Sequence, residues 1–331
     1  MTSQFIKLFK LLLFFGFLKA QSFNYNISLN SDFGNSYDFY SFSENRIDFN
    51  LFYDNLQSWV QYEYSNPPDI GFSINDIRKF RFEYQRDAYN VKVGDIYEIW
   101  GRGLVLNQFD DQLLNFDNGI RGLYFEYGNG PIRFTHINGN AEIWSLGVDL
   151  RVPHYIDKHN VIANRLLYEK NSMVLGLTHL ISSEEHSKLN LDLVDVGHTL
   201  KGIYSSYSAK SFDMFLEYVD KVSTSKNIMS NNFPNDTLKT GYGFYGNLNF
   251  YIGNWGLTTE YKNYSFDSFH NDKTVDDYGN QIQFQQMPTL GREHNSTLLG
   301  RLSHNYNFND ERGVQYELNG SIFDFSINLQ Y

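Results

Sequence analysis

Ser321-Ile322-Phe323-Asp324-Phe325-Ser326-Ile327-Asn328-Leu329-Gln330-Tyr331 is the stretch whose reading decides the fold. Phe323, Phe325, Ile327, Leu329 and Tyr331 fall on one face of an extended chain, and Asp324, Ser326, Asn328 and Gln330 on the other. Successive side chains of a strand point to opposite faces, so this two-residue period predicts a strand with one apolar and one polar face. Such a strand suits hydrocarbon on one side and a polar interior on the other.

The same pattern recurs upstream. Phe23, Tyr25, Ile27 and Leu29 alternate with Asn24, Asn26, Ser28 and Asn30. Ile47, Phe49, Leu51 and Tyr53 alternate with Arg46, Asp48 and Asn50, with Phe52 interrupting the polar face. Phe80, Phe82 and Tyr84 oppose Arg81, Glu83 and Gln85, and Leu248, Phe250 and Ile252 oppose Asn247, Asn249 and Tyr251. A further strand is read at Leu146, Val148, Leu150 and Val152. The template fits about 14 to 18 strands. Several reach the length that crosses a membrane, roughly 9 to 11 residues, which favours a barrel over a sandwich of shorter strands. The expected fold is all-β, a transmembrane antiparallel meander β-barrel.

Connections sort into two kinds. Tight turns are expected at Asp54-Asn55, Asp87-Ala88, Gly128-Asn129-Gly130 and Gly253-Asn254. Longer polar stretches run from Asn66 to Asp76, Ile96 to Asn118, Asp220 to Thr240 and Asp267 to Arg292. Short turns on one side of a membrane and long loops on the other are the habit of outer-membrane barrels. Between Pro153 and Ser208 the alternation of the two kinds slips, as if a strand were merged or missed.

Met1 to Ala20 reads as a secretory signal: Lys7 and Lys10, then Leu11 to Leu18, then Ala20 before Gln21. Its apolar core is too short for a membrane helix, which needs roughly 20 residues. The domain reading is a signal at 1–20 and one barrel domain at 21–331, with a loop near 96–118 folding inward. The barrel is expected in the Gram-negative outer membrane, exported through the periplasm after cleavage near Ala20, with membrane lipid as its surroundings. The chain ends on an aromatic residue, Tyr331, as the closing strand of such barrels does.

Composition agrees. Aromatic residues make up 18% of the chain, with 25 Tyr and 29 Phe, and interfacial girdles would hold many of them. Mean hydropathy is −0.45, as expected when half of each strand is polar. The formal charge of −11 becomes about −14 without Lys7, Lys10 and Lys19. That balance argues against a nucleic-acid partner, which requires a basic footprint. Acids lining a lumen would favour cations; acids on outer loops would only confer solubility. There is no Cys, so disulfides and thiolate metal sites do not arise.

Two segments stand apart. From Gly94 to Gly122 an expected outer loop is rich in large apolar residues: Trp100, Leu104, Val105, Leu106, Leu113, Leu114 and Phe116. Such residues are poorly placed in water. The loop is therefore expected to fold into the lumen, with Arg102 and Arg121 as candidate partners of Asp110, Asp111 and Asp117 in a constriction. The plainer reading is a structural loop packed on the inner wall. The second segment carries Arg292, His294 and Arg301, a candidate basic lining for an anionic group, or else members of an ion-pair ladder that stiffens the wall.

These segments resemble those of an uncharacterised family of outer-membrane β-barrel proteins from Bacteroidetes, a domain of unknown function. The similarity lies in Gly94, Asp95, Tyr97, Glu98, Gly101, Gly103 and Leu104, then Leu114, Asp117 and Asn118, then Arg292, Glu293, His294, Arg301 and His304. It spans most of the chain after the signal. Family members run on past the stretch matched by Gly313 to Leu318, so the resemblance implies a short or truncated member and leaves barrel closure open. It implies no activity and no catalytic residue.

No enzyme is expected. His294 with Ser296, or His270 with Asp267 and Asp272, have the right residue types without a local signature. Metal sites are no better supported: His154, Asp157 and His159 are read as lying in a turn, and Asp110-Asp111 or Asp276-Asp277 lack the spacing of a calcium loop. No cofactor is expected. Two functions remain. One is a porin-like channel for small solutes or ions with a weak cation preference. The other is a non-conducting binding or assembly barrel that meets a protein or surface polymer through its long loops. An apolar plug across the lumen would sink the channel.

Overall fold

The structure is a computed structural model and describes residues 23–36, 40–69, 71, 73–111, 116–146, 153–187, 193–227, 237–266, 311–322 and 325–330. The expected signal, the basic lining at Arg292, His294 and Arg301, and the stretch Asp267 to Arg292 lie outside the described residues, as do His270, Asp272, Asp276, Asp277 and Ser296.

The described chain is all strand and turn. The first group is β1 (Phe23–Ser36), β2 (Tyr40–Tyr53), β3 (Leu56–Ser65), β4 (Asn75–Arg86) and β5 (Tyr89–Ile96). Four two-residue strands follow: β6 (Ile99–Trp100), β7 (Leu106–Asn107), β8 (Asp110–Asp111) and β9 (Phe116–Asp117). Then come β10 (Ile120–Asn129), β11 (Ile132–Leu146), β12 (Pro153–Lys170), β13 (Met173–Ser187), β14 (Leu193–Ser208) and β15 (Phe212–Asn227). The last are β16 (Thr237–Ile252), β17 (Trp255–Ser265), β18 (Glu311–Ile322) and β19 (Phe325–Gln330). Fifteen of them form one antiparallel sheet in chain order, from β1 to β19, interrupted only by the short strands between β5 and β10. Among the described residues the sheet is open, and no pairing joins β1 to β19.

The four expected tight turns fall where the sequence places them, but the stretch read as one closing strand is divided: Ser321 and Ile322 end β18, β19 begins at Phe325, and Ile322 pairs with Phe325. Asp54, Asp87, Gly130 and Gly253 each take positive φ, the left-handed conformation that short hairpin turns require. Asn171 does the same between β12 and β13, inside the span from Pro153 to Ser208 where the sequence phase slips and where the structure has three strands, β12, β13 and β14. The long loop expected from Asp220 to Thr240 is shorter, because β15 continues to Asn227 and β16 begins at Thr237. His154, Asp157 and His159 lie within β12, not in a turn.

Alternation sets two environments. The outward face exposes Ile47 on β2, Phe82 on β4, and Leu123, Phe134, Leu166, Leu177, Ile203 and Tyr218 on β10 to β15. The inward face differs along the sheet. On β2 to β5 it is polar, with Arg46, Gln61, Glu63 and Lys79 buried. From β11 to β17 it is mixed: Ile137, Ala141, Val161, Ala163, Leu180, Leu200, Val219, Tyr245 and Tyr264 are buried in one cluster, and His159, Ser182, His198, Glu217, Lys221 and Lys262 are buried beside them. Isolated side chains on a concave wall would not be dry. The chain between β5 and β10 covers them.

Candidate functional site

The chain from Tyr97 to Gly119 leaves β5, crosses the concave face and returns to β10. Its first part is a small hairpin, β6 paired with β7, closed by a turn at Gly101 and Gly103 with φ of 61° and 89°. Trp100, Leu104, Val105 and Leu106 at its tip are all 0% exposed and belong to the cluster formed by β11 to β17. Burial of apolar area holds the tip there, at about 25 cal/mol per Å² removed from water. The guanidinium of Arg165, on β12, lies 5.2 Å from the Trp100 ring centre, and Val105 packs beside Gly202 on β14.

A carboxylate fixes the tip. Oε2 of Glu217, on β15, accepts a hydrogen bond from the Arg102 amide at 2.6 Å, and the Leu104 amide also bonds to this carboxylate. Nearby backbone N–H groups in a turn with left-handed residues form a concavity suited to an anion, and here the anion is the protein's own side chain. Gly101 is required by this closeness: a Cβ there would lie 2.6 Å from Glu217 Oε2. The Arg102 guanidinium reaches over the Phe215 ring at 5.2 Å.

The second part of the loop turns to the opposite wall. Lys79, on β4, is 1% exposed; its Nζ lies 2.5 Å from Asp110 Oδ2 and 3.0 Å from Asp117 Oδ2. Tyr97 donates its hydroxyl to Asp117 Oδ1 at 3.0 Å, and the Gly119 amide donates to the same oxygen at 2.9 Å. Burial, then the charges of Asp117 and Asp110, hold the Tyr97 phenol well above its ordinary range. Between the two parts, Gln108 and Asn118 are buried and bonded to backbone. The Gln108 amide donates to the Asn118 carbonyl at 3.2 Å, and Asn118 donates to the Asn107 carbonyl at 2.8 Å.

The pairing therefore differs from the sequence expectation. Asp110 and Asp117 meet Lys79, which the sequence reading did not single out, and Arg102 acts through its backbone on Glu217. Arg121 is placed otherwise than expected: it is in phase with the exposed Leu123 and Tyr127, opposite the buried Ile120 and Tyr124. It grips Asp95 with two bonds, Nε to Oδ1 at 2.8 Å and Nη2 to Oδ2 at 3.1 Å. Arg121 is thus on the outward face, not in a constriction. Asp111 lies in β8, paired through its backbone with Phe116. Asp110 and Asp117 are bridged by the Lys79 ammonium.

The sequence carried partial signals for the residues it missed. Glu217 and Lys221 are in phase with the apolar Phe215 and Val219 on β15, so charge on an inward face was visible there. Lys79 had no such mark. Chemically the arrangement is a clamp: Asp110 and Asp117 are paired with Lys79, the apolar side chains of the tip are buried against the wall, and Arg102 is left exposed.

The model of DUF6029, a family of unknown function, matches residues 19–326. No curated protein matches the chain. Among solved structures, in-vitro folded OmpT, an outer membrane protein of Vibrio cholerae, is similar at 10% identity, with 74% of this chain and 86% of that chain covered and a TM-score of 0.40. OccK2 (OpdF) of Pseudomonas aeruginosa is similar at 10% identity, with 93% of this chain and 89% of that chain covered and a TM-score of 0.29. Both scores are low, and the fold rests on the strand pairing described above.

Proposed function

This chain belongs to DUF6029, a family of unknown function, and from that premise we propose that it is an outer-membrane β-barrel whose interior is closed by its own inward loop, and that it serves as a non-conducting binding or assembly barrel. The outward apolar face supports the membrane location, since a soluble sheet would cover it. One observation carries the closed reading. The loop is tied to both walls, by Asp110 and Asp117 to Lys79 on β4 and by the Arg102 amide to Glu217 on β15, with Trp100, Leu104, Val105 and Leu106 packed between.

The channel reading draws support from the polar inner wall of β2 to β5, where Arg46, Gln61 and Glu63 line one side. The loop gives a cation preference modest support, because Lys79 offsets one of the two charges of Asp110 and Asp117. Recognition by the closed barrel would fall to its outer surfaces and loops, and its partner class is a protein or surface polymer.

Two measurements test this. Fractionation of cells expressing the full chain is expected to place it in the outer membrane; recovery as a soluble protein overturns the location. Planar-bilayer recordings of residues 21–331, purified from membranes, are expected to be silent. Stable conductance steps from the wild type would overturn the closed reading and restore the channel.

A further inference from the structure

The outward face carries an ordered feature unrelated to the inward loop. Register sets His136 of β11 opposite Asn164 of β12, Asn164 opposite His179 of β13, His179 opposite Lys201 of β14, and Lys201 opposite Asp220 of β15. The row interrupts the apolar surface near one of its ends: the adjacent row is Asn138, Ile162, Ile181, Thr199 and Val222, and the one beyond is Asn140, Asn160, Ser183, Gly197 and Thr224. Asn164 lies between exposed Leu166 and Ile162, His179 between Leu177 and Ile181, and Asp220 between Tyr218 and Val222. Parts of the row satisfy one another: His136 Nδ1 and Asn164 Oδ1 are 2.9 Å apart, and the Tyr218 hydroxyl donates to Asp220 Oδ1 at 2.6 Å. Lys201 and Asp220 are both exposed.

Charge on a lipid face is costly, about 2–4 kcal/mol for Lys at the midplane of a barrel and less towards the interfaces. Ionisable groups at membrane depth generally face a partner or a water-filled space. We infer that Lys201 and Asp220 form the centre of a two-fold interface with a second copy of this chain inside the membrane.

The inference rests on the membrane reading above and adds a partner to it. Two copies inserted in the same direction are related by an axis along the membrane normal. An axis passing between β14 and β15 sets each residue on one side against the partner's residue from the other side. Lys201 then faces the partner's Asp220, and Asp220 faces the partner's Lys201. One opposite-charge pair on one chain becomes two across the interface, the self-complementarity that an isologous contact requires. Excluding lipid and water there strengthens both pairs. An anionic lipid headgroup fits less well, because Asp220 stands beside the only lysine of the row.

The test is the mass of the full chain extracted in mild detergent. The wild type is expected to be a dimer. K201D places aspartates against aspartates across the axis, and D220K places lysines against lysines. Like-charge juxtaposition of this kind costs several kcal/mol, so each variant alone is expected to raise the dimer Kd at least about tenfold. Mixed together, K201D and D220K chains are expected to pair with each other. The chain has no cysteine, so co-expressed K201C and D220C chains are expected to give a disulfide-linked species of dimer mass under added oxidant, a readout that survives if a reversed variant fails to fold. A monomeric wild type in the membrane would overturn the inference and leave the barrel reading intact. A dimer indifferent to both reversals, no pairing in the mixture, or a different protein held at this face would also overturn it. A soluble wild type would overturn the barrel reading itself.

Discussion

Glu217 and Arg102 are 115 residues apart in sequence, yet Oε2 of the first lies 2.6 Å from the amide nitrogen of the second. This bond ties the loop tip to β15. A hydrogen bond to a charged group contributes about 1.5–3 kcal/mol, so Glu217→Ala is expected to destabilise the protein by about 2 kcal/mol. Glu217→Gln keeps an acceptor oxygen and should lose less. Gly101→Ala should be at least as damaging as Glu217→Ala, because it adds a Cβ at a left-handed φ directly against the carboxylate. Trp100 is buried at this tip, so urea unfolding followed by tryptophan fluorescence reads the change. Equal stability of Glu217→Ala and wild type would show that the bond does not hold the loop.

Lys79 is the counterpart on the opposite wall. Lys79→Met would leave the two carboxylates with Arg78, 4.0 Å from Asp110 Oδ1 and already bonded to Glu63, as their nearby cation. Breaking a buried ion pair by removing one partner costs about 3–5 kcal/mol. The lower end is expected here, because the Asp117 carboxylate is one third exposed. Adding Asp110→Asn to Lys79→Met removes one of the stranded charges and should recover part of the loss. The measurement is a double-mutant cycle by denaturant unfolding; strictly additive losses would contradict the pairing.

These two anchors mark where sequence reading runs out. The strand period was legible because most outward faces are apolar over several successive alternate positions. The turns at Asp54, Asp87, Gly130 and Gly253 were legible because tight hairpins need residues that accept positive φ. The inward loop announced itself through Trp100, Leu104, Val105 and Leu106, which have no reason to be apolar in water. Its partners did not, since Lys79 and Glu217 reach it only through the curvature of a sheet built from long-range pairing. Arg121 teaches a different lesson: its phase with Leu123 and Tyr127 already placed it outward, and attraction to nearby aspartates was the wrong guide.

Tyr97 makes the loop sensitive to alkali. Burial beside Asp117 and Asp110 raises its phenol well above the ordinary value, while in the unfolded chain it ionises near about 10. The native state therefore holds its proton where the unfolded state loses it. The stability this contributes is fully present below pH of about 10 and falls as pH rises above it. Tyr97→Phe removes the hydroxyl bond to Asp117 and is expected to lower stability by about 1 kcal/mol at neutral pH. It should also lack the share of alkaline loss that Tyr97 causes. Unfolding midpoints of both proteins from pH 7 to 11 check this; parallel profiles above pH of about 10 would contradict it.

Leu166 tests which solvent the outward face meets. It is 45% exposed at the outward surface of β12, and its neighbours across the strands, Phe134 and Leu177, are exposed as well. In water, Leu166→Arg would change stability little, because an exposed arginine is well solvated. In a bilayer the same charge would face hydrocarbon and cost about 2–4 kcal/mol near the midplane, less towards an interface. A substitution harmless in one solvent and harmful in the other separates the two readings without any assumption about function. Leu166→Arg is expected to reduce the folded, vesicle-inserted fraction strongly, and Leu166→Phe to leave it unchanged. Insertion of Leu166→Arg at the wild-type level would remove this face from the membrane.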